Sequence, residues 1–280
     1  MNDKHGYWKD KYEMARIANF LTSAREIKEI NTIKWCCENT IIYDESYFNY
    51  GNNEGINIPP INLYPMSTTE ALLKLGYNSG RQACILNFAS FKHPGGMYLK
   101  GSTAQEESLC QKSILYNVLS RFDECYYKIN RRDVNKSLYY NRALYTPGIK
   151  FTFHVSDNES IVTHADVITC AAPNYRSAKR YYNITRETNS IVLENRIKYI
   201  LNILSLNSNR FDVLILGAFG CGVFGQDPDE VSKLFMKNIK MFKWDNRLKE
   251  IAFAVPNPNN EIAHNNFMIF YNNITNRCNL

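Results

Sequence analysis

Two hydrophobic periods alternate along the chain. Short apolar runs without polar alternation lie at residues 84–88, 167–172, 213–218 and 251–255. Each has strand length and is bounded by turn-forming residues, as expected for strands covered on both faces of a sheet. Between them the spacing becomes helical. Met14, Ile17, Ala18, Leu21, Ala24 and Ile27 predict a helix over residues 10–30. Cys110, Ile114 and Val118, with Leu115 and Leu119 beside them, predict another. Leu193, Ile197, Ile200, Leu201 and Leu204 predict a third over 189–206, and Val231, Leu234 and Phe235 a fourth, opened by Asp227. Shorter strands are expected at 40–43, 62–64, 143–146 and 149–154, the last two around Pro147-Gly148. Ser67 with Glu70 forms a capping box for a helix over 71–75 that Gly76 stops, and a last helix follows Asn259. Residues 44–58 are rich in Asn, Gly and Tyr and read as a loop closed by Pro59-Pro60. The alternation of buried strands with helices predicts an α/β layered fold. The expected organisation is a helical extension over residues 1–60, packed on a domain spanning 61–280.

Composition narrows this modestly. An apolar share of 45% supports a substantial core, and a net charge of +6 suits an anionic partner such as a nucleotide or polyphosphate. The same charge is also ordinary for a chain so rich in Lys and Asn. The eight cysteines include no CxxC pair, which argues against a zinc site or a disulfide framework and for a reducing compartment. Residues 1–14 carry both signs of charge and no apolar core. The longest uncharged apolar stretch, 213–225, is too short and glycine-rich to span a bilayer. The expectation is a soluble intracellular protein, cytoplasmic or, in a eukaryote, nuclear, with no membrane partner.

Candidate chemistry gathers in loops placed after predicted strands, where open α/β sheets bind ligands. The first runs from Asn87 to Thr103 and holds His93-Pro94-Gly95-Gly96. The second is Pro173, Asn174 and Tyr175, and the third reads GAFGCGVFG over 217–225. Glycines let a backbone approach a ligand and turn its N–H groups toward phosphate. The third loop contains GxGxxG at Gly220, Gly222 and Gly225. A Rossmann site would need an acidic residue about 20 positions on; residues 240–244 supply none, whereas phosphate cradling by the same glycines survives. Directly after the first loop, Ser102 or Thr103 caps a helix opening with Gln105, Glu106 and Glu107. First-turn glutamates commonly offset the helix dipole. Beside a diphosphate-binding loop, one of them can also protonate a leaving glycosidic oxygen and then deprotonate the attacking water. Cys221 reads as a small residue fitting a tight loop rather than a nucleophile, and His93 as loop support. Phe224 is the best-placed aromatic for packing on a nucleoside, with Tyr98 and Tyr175 behind it. The five histidines show no metal-ligand spacing.

At these residues the chain resembles the microbial-type poly(ADP-ribose) glycohydrolases of the macrodomain superfamily. Their signature is a run of three glycines, a short spacer, then QEE; here it reads Gly95-Gly96-Met97, seven residues, and Gln105-Glu106-Glu107. The flanking NFAS and ESLCQKSILY, then ALYTPGIKFT, VITCAAPN and LGAFGCGVFGQDP, follow in the family's order over residues 10–256. The resemblance implies a three-layer α/β/α macrodomain with a mixed sheet and N-terminal helices. It implies exo-type hydrolysis of the ribose–ribose O-glycosidic bond of poly(ADP-ribose), releasing ADP-ribose. Carried over by position, Glu107 is the acid/base and Glu106 binds ribose hydroxyls of the adjoining unit. Asn87 orients the distal ribose, Gly95 and Gly96 line the diphosphate, and Met97 and Gln105 belong to the same signature. Gly220, Cys221, Gly222 and Val223 hold the diphosphate from the other side, and Phe224 packs on the distal ribose. No metal and no cofactor are implied. The expected partners are ADP-ribose and poly(ADP-ribose) on modified proteins, with ADP-ribosylated nucleic acid as a further one, and the protein is expected to be a monomer. Met97 replaces the third glycine and Gln226 the family's usual Asn. Two other readings accompany this one: removal of single ADP-ribose units from protein or nucleic-acid bases, and an ADP-ribose-binding module without turnover.

Overall fold

Residues 4–47, 57–156, 158–257 and 261–275 are described by the structure, a computed structural model. Their centre is a mixed seven-stranded sheet. Its strands are β1 (Ile41–Tyr43), β2 (Ile61–Tyr64), β3 (Ala83–Phe88), β4 (Ala143–Ser156), β5 (Glu159–Cys170), β6 (Val213–Leu216) and β7 (Glu250–Ala254), in the spatial order β1-β4-β5-β3-β6-β7-β2. β1 and β5 run antiparallel to β4, while β5, β3, β6, β7 and β2 are mutually parallel. The carboxyl ends of β5, β3 and β6 therefore point the same way from adjacent positions. The three chemically unusual loops leave the sheet from those three ends.

Strand alternation divides the core in two. On β3, Cys84 and Leu86 pack with α8 (Arg186–Leu206) and α9 (Pro228–Ile239), while Ala83 and Ile85 face the layer holding α2 (Ile30–Glu38), α4 (Gln105–Lys112) and α5 (Leu115–Ser120). Asn87 continues the odd series, so the pleat that buries Ile85 aims this amide at α4. Helices thus cover both faces of the sheet, the expected three-layer α/β/α arrangement. α1 (Lys4–Lys28) lies against the first glycine loop: Asn19 Nδ2 and the Tyr98 hydroxyl donate to Leu99 O and Ala18 O, both at 3.3 Å. β1, although numbered within the first 60 residues, is an edge strand of the same sheet.

Several local expectations are corrected. The predicted single helix around Cys110 and Ile114 is broken at Ser113, whose backbone is extended (φ −147°, ψ 176°) and bridges to Phe151. The Ser113 hydroxyl bonds both Leu109 O (2.7 Å) and Leu115 N (3.1 Å), a local alternative to the helical ladder. Neither Ser102 nor Thr103 caps α4; its N-cap is Ala104, with no side-chain cap. The Ser67–Glu70 capping box is present, opening α3 (Thr68–Ala71), but Gly76 does not end the helical path. That path continues through a π-turn at Leu72–Gly76 to Gly80, which takes the left-handed conformation (φ 67°). The two short strands around Pro147-Gly148 are one long β4 with a bulge between Thr146 and Ile149. α2 and α7 (Tyr175–Tyr182) are short helices, of nine and eight residues, that went unpredicted. α10 (Glu261–Thr275) supplies the last helix, whereas Asn259 and most of the loop at 44–58 lie outside the described residues. Among the described residues no helix is long and apolar enough to cross a membrane.

Candidate active site

The carboxylates stand where β3, its loop and α4 meet. Glu106 is 3% exposed; its Oε2 accepts from Ser90 N–H at 2.7 Å and its Oε1 from Asn87 Nδ2 at 3.3 Å. Burial is the chief cause that raises the Glu106 carboxyl to about 8, opposed by the Ser90 N–H and reinforced by the charge of Glu107. Glu107 is 7% exposed, and its Oε1 accepts from Met97 N–H at 2.9 Å. One glutamate is thus tied to the start of the first loop and the other to its glycine turn. Asn87 also donates to Thr169 Oγ1 at 3.3 Å, and its Oδ1 is buried without a donor. Native folds rarely leave such an acceptor unpaired.

Gly96 explains why this turn tolerates no side chain. Its φ is +59°, and a Cβ there would lie 2.6 Å from Glu107 Oε1 and 3.0 Å from Glu106 Oε2. Gly95 packs equally closely on Tyr116 and Cys110. Met97 behaves differently: with φ −106° and 42% exposure it occupies ordinary backbone space, so no left-handed conformation is needed at the position of the third glycine. Gln105 is committed to the protein. Its Oε1 accepts from Phe88 N–H (2.9 Å) and its Nε2 donates to Leu86 O (2.9 Å) and Thr68 Oγ1 (3.2 Å), pinning α4 to β3 and α3. At the far end of α4, Arg25 from α1 donates to Cys110 O (2.9 Å) and Gln111 O (2.6 Å), satisfying two terminal carbonyls.

The second glycine loop follows β6. Gly220 (φ +76°) sits against Ala172 and Gln226, whereas a Cβ on Gly222 would meet nothing within 4 Å. Gln226 fastens the loop through Nε2 to Pro173 O (2.6 Å), and its Oε1 accepts from Asn189 Nδ2 (2.8 Å), so this departure from the family pattern is structural. Arg176 of α7 holds the loop with its N–H on Phe224 O (3.0 Å) and its Nη2 near Gly222 O (3.4 Å). Val223 is 69% exposed, and Phe224 is half-buried. Burial pushes the Cys221 thiol well up, which disfavours the thiolate and leaves it a packing residue. His93 is exposed in the first loop, its pKa lowered by partial burial and by Arg131, Lys92 and Lys100.

Between these loops lies a cleft of two adjoining pockets that share Phe88, Gln105 and Ala218. One, of ≈ 150 Å³, is lined by Gly220, Gly222, Val223 and Phe224; the other, of ≈ 200 Å³, by Ser67, Thr69, Ala254 and Pro256. The second pocket was missed in the sequence because its walls come from five separate segments. Ser90 and Tyr116 were missed too, since their roles arise only when the loop folds back on α4. Tyr98, a candidate for ligand packing, is buried against Tyr116 and α1 instead. Among the described residues no cluster of His, Cys, Asp and Glu is fit to hold a metal.

A glycine-lined cleft near a buried carboxylate pair, at the carboxyl ends of parallel strands of a three-layer α/β/α fold, is a macrodomain-like architecture. The family model described as "Microbial-type PARG, catalytic domain" matches residues 9–153, more than half of the chain, and the chain belongs to that family. Solved structures agree. Poly(ADP-ribose) glycohydrolase from Thermomonospora curvata bound to the inhibitor ADP-HPD is 25% identical, with 93% of this chain and 98% of that one covered and a TM-score of 0.77. Poly(ADP-ribose) glycohydrolase from Deinococcus radiodurans in complex with ADP-ribose is 25% identical, over 88% and 98% of the two chains, with a TM-score of 0.75. No curated protein sequence matches the chain.

Proposed function

We infer that this protein is a poly(ADP-ribose) glycohydrolase that works from the chain end and releases ADP-ribose. The observation that carries the reading is the junction of Gly96 with both carboxylates, together with a second glycine loop that lines the neighbouring cleft. The terminal diphosphate lies between Gly95–Gly96 and the backbone of Gly220, Cys221, Gly222 and Val223. The adenosine half occupies the pocket walled by Phe88, Ala254 and Pro256, and the distal ribose packs on Phe224. Asn87, with its unpaired Oδ1, accepts from a hydroxyl of that ribose. Met97 contributes its N–H to Glu107, and Gln105 serves by positioning α4. Of residues 1–60, the helices α1 and α2 act as an extension bracing the catalytic domain, while β1 belongs to that domain's sheet.

Hydrolysis then proceeds with atoms balanced. The Glu107 carboxyl protonates the bridging oxygen as the bond to the anomeric carbon of the terminal ribose breaks. The shortened polymer leaves with that oxygen as a hydroxyl. Water attacks the electron-poor anomeric carbon and returns a proton to Glu107, completing ADP-ribose. Glu106, its carboxyl raised to about 8 chiefly by burial, sits beside this site as a hydrogen-bonding group for ribose hydroxyls of the adjoining unit. No step needs a metal or a cofactor. The substrate is ADP-ribose polymer on modified proteins, in an intracellular setting where it reverses ADP-ribosylation, including that of the DNA damage response, and the enzyme acts as a monomer. Purified protein incubated with polymer, with mono-modified protein and with modified DNA separates the readings. Free ADP-ribose from polymer supports ours; release from only the mono-modified substrates, or binding without any release, rejects it.

A further inference from the structure

α7 starts at the rim of the cleft and carries charge of one sign. Asn174 caps it, with Oδ1 accepting from Ser177 N–H at 3.1 Å, and Asn183 closes it in the left-handed conformation (φ 52°). Its eight residues include Arg176, Lys179 and Arg180 and no acid. At i, i+3 and i+4 these cations share one side of the helix, away from buried Ala178. Arg176 N–H holds Phe224 O at 3.0 Å, and Gly225 packs against Arg176, so α7 begins at the second glycine loop. The turn beside it adds Lys136, exposed next to Ser137, whose carbonyl accepts from Asn174 N–H at 2.9 Å. None of these residues lines either pocket of the cleft.

Elsewhere on the surface, helical cations have carboxylate partners. Lys233 pairs with Asp229 at 2.7 Å, and Lys198 and Lys237 both reach Glu194, at 3.0 and 2.9 Å. Among the described residues no ion pair engages Lys136, Arg176, Lys179 or Arg180. The helix dipole favours Lys179 and Arg180 in the last turn, but it opposes Arg176 in the first. Packing does not account for Tyr181, a large ring left 65% exposed at the end of the helix. The Arg180 guanidinium lies over that ring, 5.3 Å from its centroid. Unpaired cations beside an exposed aromatic platform suit a single-stranded nucleotide chain, whose phosphates follow the charge while a base stacks on the ring.

We propose that α7, with Lys136, is a docking face for the nucleotide polymer beyond the scissile bond, its cations holding diphosphates and Tyr181 stacking an adenine. The inference rests on the poly(ADP-ribose) reading above. In that reading the polymer leaves through the anomeric carbon of a ribose on Phe224, the residue whose carbonyl α7 holds. Each further unit brings a diphosphate and an adenine, the complement of this face. Free ADP-ribose, enclosed between the glycine loops, does not reach it. The face adds affinity for polymer length and leaves the affinity of the cleft alone.

The test measures binding of long polymer and of free ADP-ribose at several salt concentrations, on the Glu107→Gln background so that polymer outlasts the measurement. Lys179→Ala with Arg180→Ala should bind polymer more weakly, and the slope of log K against log salt should shrink by about 1.4, the worth of two phosphate contacts on a single strand. Tyr181→Ala should cost about fivefold or more in polymer affinity, and Tyr181→Phe should restore it. ADP-ribose affinity should stay at the parent value throughout. Lys240→Ala with Lys243→Ala, exposed in the turn before β7 at the amino ends of the strands, removes the same charge far from the cleft and should leave the slope unchanged. Thermal melting checks each fold; should the double variant not fold, Lys179→Ala alone should shrink the slope by about 0.7. Parental polymer affinity and slope in the α7 variants overturn the proposal, as does an equal loss in the Lys240/Lys243 control. A loss for single-stranded DNA but not for polymer assigns the face to nucleic acid and overturns it too. A wild type that cleaves no polymer refutes the activity instead; polymer binding then still judges the face, and equal affinities for parent and α7 variants reject it.

Discussion

The two glycine loops follow neighbouring parallel strands, yet their glycines have different physical reasons. In the first, Gly95 and Gly96 lack side chains because the protein's own Tyr116, Cys110, Glu106 and Glu107 fill the space. In the second, Gly222 borders open space, and nothing in the protein's packing accounts for its missing side chain. A glycine pressed against carboxylates fixes where those carboxylates stand. A glycine bordering a cleft leaves a backbone accessible to whatever enters. The first loop is therefore read as the frame of the chemistry and the second as a surface for binding, and substitutions should separate the two.

Gly96→Ala should have the largest effect. The added methyl meets Glu107 Oε1 at 2.6 Å on a backbone at φ +59°. Turnover should fall by about 10²-fold or more, with about 1–3 kcal/mol of stability lost. Steady-state kinetics and denaturant melts check both; near-normal turnover would break the distinction between the loops.

Next comes the pH dependence set by Glu106. Burial raises this carboxyl from 4.5 to about 8, so between those values the folded protein holds a proton that the unfolded chain has released. The folded state binds the proton more tightly, and this group's contribution to stability declines as pH rises from about 4.5 to about 8, then levels off. Glu106→Gln should remove that part of the slope, measured as the difference in unfolding free energy between about pH 5 and about pH 8. An unchanged slope would mean that Glu106 is ionised in the fold.

Gly222→Ala should act oppositely to Gly96→Ala. Stability should stay within about 0.5 kcal/mol, while ADP-ribose affinity, read by calorimetry, weakens about tenfold. Loss of stability without loss of affinity would reverse the reading of the second loop. Smallest is Met97→Gly. Because Met97 already has negative φ and is 42% exposed, restoring the family's glycine should alter turnover by no more than about twofold and cost roughly 0.5–1 kcal/mol in chain entropy. A large gain in activity would show that the side chain obstructs the cleft.

Much of this was legible in the residues, for reasons that differ by region. The buried strands announced themselves because a sheet covered on both faces requires unbroken apolar runs. The Ser67–Glu70 capping box is local chemistry that survives folding, whereas Asn87 was singled out by the family resemblance and its aim at α4 became clear only from the pleat of β3. What escaped was non-local. The break at Ser113 depends on a bridge to Phe151, and the apolar period that runs through it belongs to two helices sharing one core. Gln105 looked like part of a ligand site, but its amide is consumed by β3 and α3, which no spacing reveals. The left-handed run around Tyr139 escaped because its residues are not glycines, and Arg196, which bonds Asn141, lies on a helix distant in the chain.

The most direct test of the account is a single substitution at the other carboxylate. Glu107→Gln removes a proton donor while keeping an oxygen to accept the Met97 N–H bond now made at 2.9 Å. Calorimetry should find ADP-ribose affinity within about threefold of wild type, and release of ADP-ribose from polymer should fall by about 10²-fold or more. Release at the wild-type rate would contradict the central claim that Glu107 is the acid and base of this site.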